Sequence, residues 1–399
     1  MLVAKLGNGK QLSLAEVDEQ IKAQLKGKKK SFYCPICEER LLLKAGNKRR
    51  WHFAHQKNSS CLVEQEAETE YHLNGKILLY QWLKKQYRQV YLEYYIRSIK
   101  QRPDILVQTE DGPVAIEFQC SNIPESHLIK RTEMYNQRNI KPLWILGSKR
   151  LKRKKNYFQL TAMDWLTVQF NTKPFVVYFN PTNKQFTLLH SLSPFSEGKV
   201  FAGNMNMKLH HTSLQQLIHP LIKMERVSDA WFNEKRKWRL SCHYENKKAA
   251  HFIRNELQKK RLHLCYIPSV CGVPHNFTYL IKTPTVYWQT WIFLKFLYKK
   301  EKYTTFDSRE IINSFAHCAK VQKFSVRRFP CISGKYKYFA QAIHAYLQLL
   351  CNLNYLRKKS KHTYIIMNEI TPTTSNYEAI GKDKSIVKKI NQFNNKANN

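Results

Sequence analysis

The chain has 399 residues, with 67 Lys and Arg against 29 Asp and Glu, a formal net charge of +38 and an isoelectric point near 9.8. This length is expected to make two or three domains, and a charge this large draws polyanions without specifying a fold. No signal-peptide-like apolar run opens the sequence, and no stretch of about 18 apolar residues could span a bilayer, so no membrane anchor is expected. Beyond an N-terminal cluster the cysteines are scattered, which suits reduced thiols and a cytoplasmic location.

The first motif is Cys34-Pro35-Ile36-Cys37, followed after fourteen residues by His52-Phe53-Ala54-His55. Two ligand pairs of this kind suit a structural Zn²⁺ site. Cys34, Cys37, His52 and His55 are the expected ligands, with Cys61 in reserve for one histidine. Four protein ligands leave no open coordination position, so scaffolding or DNA grip is the expected role. Residues 1–62 form this zinc-finger-like module.

Residues Glu64 to Tyr87 read as one helix, acidic early and basic late. Glu66, Glu70, Leu73 and Ile77 recur at helical spacing, which puts Glu70 on the stripe facing the sheet. Then comes RPDILVQTEDGPVAIEFQCS, Arg102 to Ser121: two β-runs around an Asp-Gly turn. If Thr109–Gly112 closes the hairpin, Gln108 lies opposite Pro113 and Asp104 opposite Glu117. Two carboxylates so placed stay ionised most readily around a cation, and hard oxygen ligands suit Mg²⁺ or Mn²⁺. Glu70 would be a third acidic contributor. An ordinary hairpin with a turn Asp and a solvent-facing Glu satisfies the same spacing.

A helix with an inward Glu, a hairpin with PD and then E-x-Q, and another helix resemble the PD-(D/E)XK nuclease superfamily. With the cysteine-histidine module, with Glu70 and His72, with Arg102-Pro103-Asp104, with Ile116-Glu117-Phe118-Gln119-Cys120-Ser121 and with Pro142-Leu143-Trp144-Ile145-Leu146-Gly147, the chain is similar to the CoiA family of bacterial competence proteins. The specific motifs cover about the first 150 residues. The resemblance implies a restriction-endonuclease-like mixed α/β sheet flanked by helices, and a role in processing incoming DNA or recombination intermediates during transformation. DNA, single-stranded or a recombination intermediate, is the partner implied, with recombination proteins as further candidates. Asp104 and Glu117 would hold Mg²⁺, Glu70 would complete the site, and Gln119 would orient the attacking water. Gln119 stands where the wider superfamily often carries Lys, and a neutral amide supplies no positive charge to a transition state.

Glu125 to Arg138 reads as the next helix. Arg131 and Tyr135 share one of its faces and, in a nuclease of this kind, would touch the substrate backbone; an ordinary surface helix is the alternative. Lys141–Leu146 reads as a buried strand, parallel to its predecessor across that helix, and ends a nuclease-like domain of residues 63–150. Pro174 to Leu189 is a hairpin expected to open a further domain, 151–285, whose stretch from Leu214 to Leu262 is helical and basic. In 286–370, three helices (Val286–Leu297, Ser308–Cys318, Tyr338–Leu350) precede a basic hairpin, Leu356–Ile366. That order resembles a winged helix, and a plain helical bundle fits as well. The polar tail, 371–399, is expected to be disordered.

The expected function is therefore a metal-dependent, nuclease-like DNA-processing protein. Two alternatives follow from the same residues: a DNA-binding protein that assists recombination with little or no turnover, and a zinc-containing DNA-binding regulator.

Overall fold

The fold was analysed in a computed structural model, which describes residues 1–27, 30–46, 50–56, 59, 61, 69–170, 173–222, 229–331 and 338–396. Glu64 and Glu66 of the expected helix lie outside these.

A small antiparallel sheet forms the N-terminal module from β1 (Val3–Leu6), β2 (Gln11–Ser13), β3 (Phe32–Tyr33), β4 (Arg40–Lys44) and β5 (His52–His55), in the order β2-β1-β3-β4-β5, with α1 (Glu19–Gly27) between β2 and β3. The Cys-x-x-Cys turn joins β3 to β4. Cys34 N donates to Glu39 O at 2.8 Å, and Glu38 (φ 61°) turns the chain back.

Next comes α2 (Glu70–Lys84), capped by Thr69, whose hydroxyl accepts from His72 N. It packs on β6 (Val90–Leu92), β7 (Ile105–Thr109) and β8 (Gly112–Gln119). The approach is close because Gly75 has no side chain: a Cβ there would lie 2.0 Å from the Phe118 ring. The hairpin register is the expected one, with Gln108 opposite Pro113 and Ile105 opposite Ile116. After α3 (Glu125–Asn136) the chain returns as β9 (Lys141–Gly147), parallel to β8.

The sheet does not stop at residue 150. It continues through β10 (Lys152–Lys154), β11 (Tyr157–Gln159), α4 (Ala162–Leu166), β12 (Gln169–Phe170), β13 (Pro174–Asn180), β14 (Gln185–Pro194) and β15 (Lys199–Lys208). The strand order is β10-β11-β15-β14-β13-β9-β8-β7-β6, with β12 on β13. The hairpin expected to open a new domain instead extends this sheet, because β13 pairs in parallel with β9. Alternation divides the apolar residues between the two faces. Leu143, Ile145, Val177 and Phe179 pack with α2, whereas Trp144, Leu146, Val176 and Tyr178 face the C-terminal helices.

Those helices are α5 (Leu214–Ile218), α6 (Asp229–Ser241), α7 (Lys248–Gln258) and α8 (Thr285–Ile292), the last extended by a π-turn over Phe293–Leu297. Strand β16 (Thr305–Asp307), α9 (Ser308–Lys320), α10 (Tyr338–Asn352), β17 (Leu356–Lys358) and β18 (Thr363–Ile366) follow. The tail expected to be disordered is instead α11 (Asn376–Lys396). Its Ala379, Ile386, Val387 and Ile390 are buried, and Asp383 takes Arg239 Nε at 2.6 Å and Lys235 Nζ at 2.9 Å. Composition missed it because few apolar residues are needed when they repeat on one face and a buried ion pair anchors the helix. Among the described residues, no helix is long and apolar enough to cross a membrane.

Candidate functional site

The hairpin register sets the two acidic residues at adjacent positions, and their side chains then turn to different helices. Ile105 pairs with Ile116, so one further step sets Asp104 opposite Glu117. Asp104, however, lies in a bend just before β7, and its side chain turns toward α2. Oδ2 accepts from Phe118 N at 2.8 Å and lies 3.4 Å from His72 Nε2, while Oδ1 is 3.5 Å from Lys76 Nζ. Burial opposes the charge on Asp104, but Lys76 and His72 outweigh it and hold the carboxyl well below the usual carboxylate range.

Glu117 faces the other helix. Arg131 Nη2 donates to both of its oxygens, at 2.6 and 2.7 Å, and Tyr135 donates its hydroxyl to Oε1 at 2.5 Å. Its side chain is only 2 % exposed. Burial pushes this carboxyl up, against the pull of Arg131, and the nearby charge of Asp104 adds to the rise.

These contacts correct the reading of Arg131 and Tyr135 as a pair that touches the substrate. Tyr135 is fully buried and Arg131 mostly so, with its guanidinium 5.4 Å from the Trp144 ring. Both are committed to Glu117. The reason is amphipathic: the face that Leu128, Thr132 and Tyr135 bury is the one that carries Arg131 to the sheet.

Glu70 is also placed differently from expectation. It opens α2 and is exposed, and it makes no hydrogen bond to Asp104 or Glu117 among the described residues. Lys76 and His72, one helical turn apart, are the α2 side chains that reach the site. Gln119 is buried and donates to Ser121 O at 3.2 Å and to Ser121 Oγ at 3.0 Å, which braces the chain as it leaves β8.

Sequence reasoning missed Lys76 and its partner. Lys76 is 1 % exposed and its Nζ lies 2.5 Å from Glu93 Oε1. Glu93, held in the left-handed region (φ 49°), also accepts from Leu2 N at 2.8 Å and Val3 N at 3.2 Å. A non-glycine residue keeps that backbone only where its surroundings over-determine it. The N-terminal module, Lys76 and Asp104 are thus joined by one chain of polar contacts. The available signal was a lysine inside the apolar run Gly75-Lys76-Ile77-Leu78-Leu79.

In the N-terminal module, Cys34, Cys37, His55 and Cys61 bring their ligand atoms within 4.8 Å of one another. Cys34 Sγ lies 4.0 Å from Cys61 Sγ, and Cys37 Sγ 3.4 Å from His55 Nε2. Tetrahedral ligands at a Zn–S distance of about 2.3 Å would lie about 3.8 Å apart, so the donor set fits Zn²⁺. His52, expected as a ligand, is not in the cluster; its Nδ1 lies 3.0 Å from Arg50 O. The two histidines sit on a strand, where positions i and i+3 face opposite sides. Cys61 takes the fourth place.

Three matches to one family span nearly the whole sequence. Residues 14–64 match the N-terminal domain of competence protein CoiA, residues 68–222 its nuclease-like domain, and residues 227–380 its C-terminal domain. The chain belongs to the CoiA family. It is similar to competence protein CoiA of Bacillus subtilis (strain 168), at 28 % identity over 363 residues, covering 90 % of this chain and 95 % of that one. No solved structure matches significantly. The nuclease-like match contains Asp104, Glu117, Lys76 and Arg131 and runs past residue 150 through β15, as the sheet does.

Proposed function

We propose that this CoiA-family chain is a metal-dependent, nuclease-like protein that acts on DNA in bacterial competence, on incoming strands or recombination intermediates. The observation that carries this reading is Asp104, kept ionised beside Lys76, one step before the Ile105–Ile116 pair that precedes Glu117 on the adjoining strand. Asp104, Glu117 and Glu93 set three carboxylates beside the cations of Lys76 and Arg131. Carboxylate oxygens are the hard ligands that a divalent cation of this kind takes. Asp104 and Glu117 would hold Mg²⁺ or Mn²⁺, which when bound lowers the pKa of a water and offsets charge on a phosphate.

Lys76 takes the part for which Gln119 is unsuited. It brings a fixed positive charge to the site from α2, oriented by Glu93. Arg131 and Tyr135 hold Glu117 from behind and fix its orientation. The +38 charge supports a polyanionic substrate, with affinity that falls steeply as salt rises. The N-terminal cluster would hold Zn²⁺ through Cys34, Cys37, His55 and Cys61 as a closed structural site.

A second reading has its own support. Glu117 is nearly inaccessible and both its oxygens already carry donors, as suits a DNA-binding protein without turnover. Incubation of the full chain with end-labelled single-stranded, duplex and branched DNA, in Mg²⁺, Mn²⁺ or EDTA, separates the two. Metal-dependent products support the nuclease; salt-sensitive binding without products in any metal supports the second reading.

A further inference from the structure

The residues from Thr285 to Ile366 run α8, β16, α9, α10, β17, β18. In the small sheet β18 lies between β16 and β17, so the strand before α9 pairs with the last strand of the hairpin. Helix, strand, helix, helix and hairpin in this pairing are the connectivity of a winged helix. Its third helix and hairpin tip then belong to one surface. His344 of α10 and His362 of the tip lie 6.4 Å apart, ring to ring.

We propose that this unit is a second DNA site, one that takes duplex with α10 in the major groove and the β17–β18 tip on the flanking phosphates. Charge gives the first argument. Arg357, Lys358, Lys359 and Lys361 are exposed, and among the described residues none of them makes a salt bridge. Four exposed cations in five positions at a hairpin give a polyanion a concentrated charge whose binding releases counterions.

The helix gives the second. Ile343, Tyr346, Leu347 and Leu350 are fully buried and fix α10 in place. Its outward side carries Gln341, Gln348 and Asn352, all exposed, at positions i, i+7 and i+11 of one face. That face is uncharged and rich in amides, which pair with base edges, above all adenine N6 and N7. An acidic protein partner would be matched by charge on the helix as well as on the tip. A polar reading face beside a cationic tip divides the labour as a duplex requires, with bases specifying and phosphates positioning.

The proposal does not rest on cleavage at Asp104. It is tested by anisotropy of a labelled duplex of about 20 base pairs with the full chain in EDTA, across a salt series. Lys358→Ala/Lys359→Ala/Lys361→Ala is expected to weaken binding about tenfold or more near 0.1 M salt, and to lower the log–log salt slope by about 2–3, at about 0.9 per phosphate contact. Gln341→Ala/Gln348→Ala is expected to weaken binding about fivefold with the slope unchanged, since base contacts release no counterions. Circular dichroism checks that each variant is folded. Duplex affinity and slope within twofold of the parent for the tip variant would overturn the proposal. So would an equal loss in the charge-matched Lys382→Ala/Lys384→Ala/Lys388→Ala on α11.

Discussion

Lys76 and Glu93 form a buried ion pair, Nζ to Oε1 at 2.5 Å, with side chains 1 % and 2 % exposed. The pair lies between the N-terminal strand, whose Leu2 and Val3 amides hold the other Glu93 oxygen, and Asp104, 3.5 Å from the same ammonium. Removing one partner of such a pair strands the other charge away from water, at a cost of about 3–5 kcal/mol. Lys76→Ala is therefore expected to lower stability by that order in denaturant unfolding. Glu93→Gln, which keeps the acceptor for Leu2 and Val3, should cost less. Equal, negligible losses in both would show that the pair holds nothing together.

The metal cluster makes a prediction about which histidine matters. Cys61→Ser and His55→Ala are expected to lose bound zinc, measured by elemental analysis of the purified chain, while His52→Ala keeps a full equivalent. Retention in Cys61→Ser with loss in His52→Ala would reverse the assignment.

These sites show what the sequence allowed and where it stopped. The Asp-Gly turn sets the hairpin register, so the adjacency of Asp104 and Glu117 is legible from residues 102–121 alone, but not that their side chains turn to different helices. Cys37 with His55 was equally legible, but His52 was not: the spacing offers the two histidines as a pair, and only the strand assignment separates their rings. Arg131 and Tyr135 were misread because a charged residue on a short helix suggests solvent; the acceptor that draws it inward, Glu117, sits on another element. Lys76 was missed for the same reason. Its partner Glu93 is seventeen residues away and becomes an anchor only once β1 docks beside it. Long-range ion pairs leave no periodic trace.

The C-terminal helix leads to a truncation experiment. Lys235 and Arg239 on α6 are 1 % and 0 % exposed, and Asp383 of α11 pairs with both. Ending the chain at Ile370 would leave two buried cations without that carboxylate and would uncover Ile386, Val387 and Ile390. The shortened chain is expected to be several kcal/mol less stable or insoluble. Asp383→Asn should fall between it and the parent. Unchanged thermal unfolding of the shortened chain would refute the role of α11.

Acid should weaken the C-terminal region through His275. Burial pushes its imidazole down to about 4, and the ring sits edge-on to Trp288 at 5.7 Å. The unfolded chain takes up a proton near pH 6.5, which the folded chain refuses until about 4. Stability from this group is thus complete above the unfolded value and drains away as pH falls through that window. His275→Phe should flatten the slope of stability against pH between about 6.5 and 4; an unaltered slope would rule the group out.

The central claim is best tested by one comparison, the parent chain beside Asp104→Asn and Glu117→Gln. Cleavage of end-labelled DNA in Mg²⁺ and DNA binding in EDTA are measured on the same preparations. The expected result is metal-dependent cleavage by the parent, lost in both variants, with binding within about twofold throughout. Cleavage that persists in both variants, or binding that disappears with it, would contradict a nuclease site at these two carboxylates.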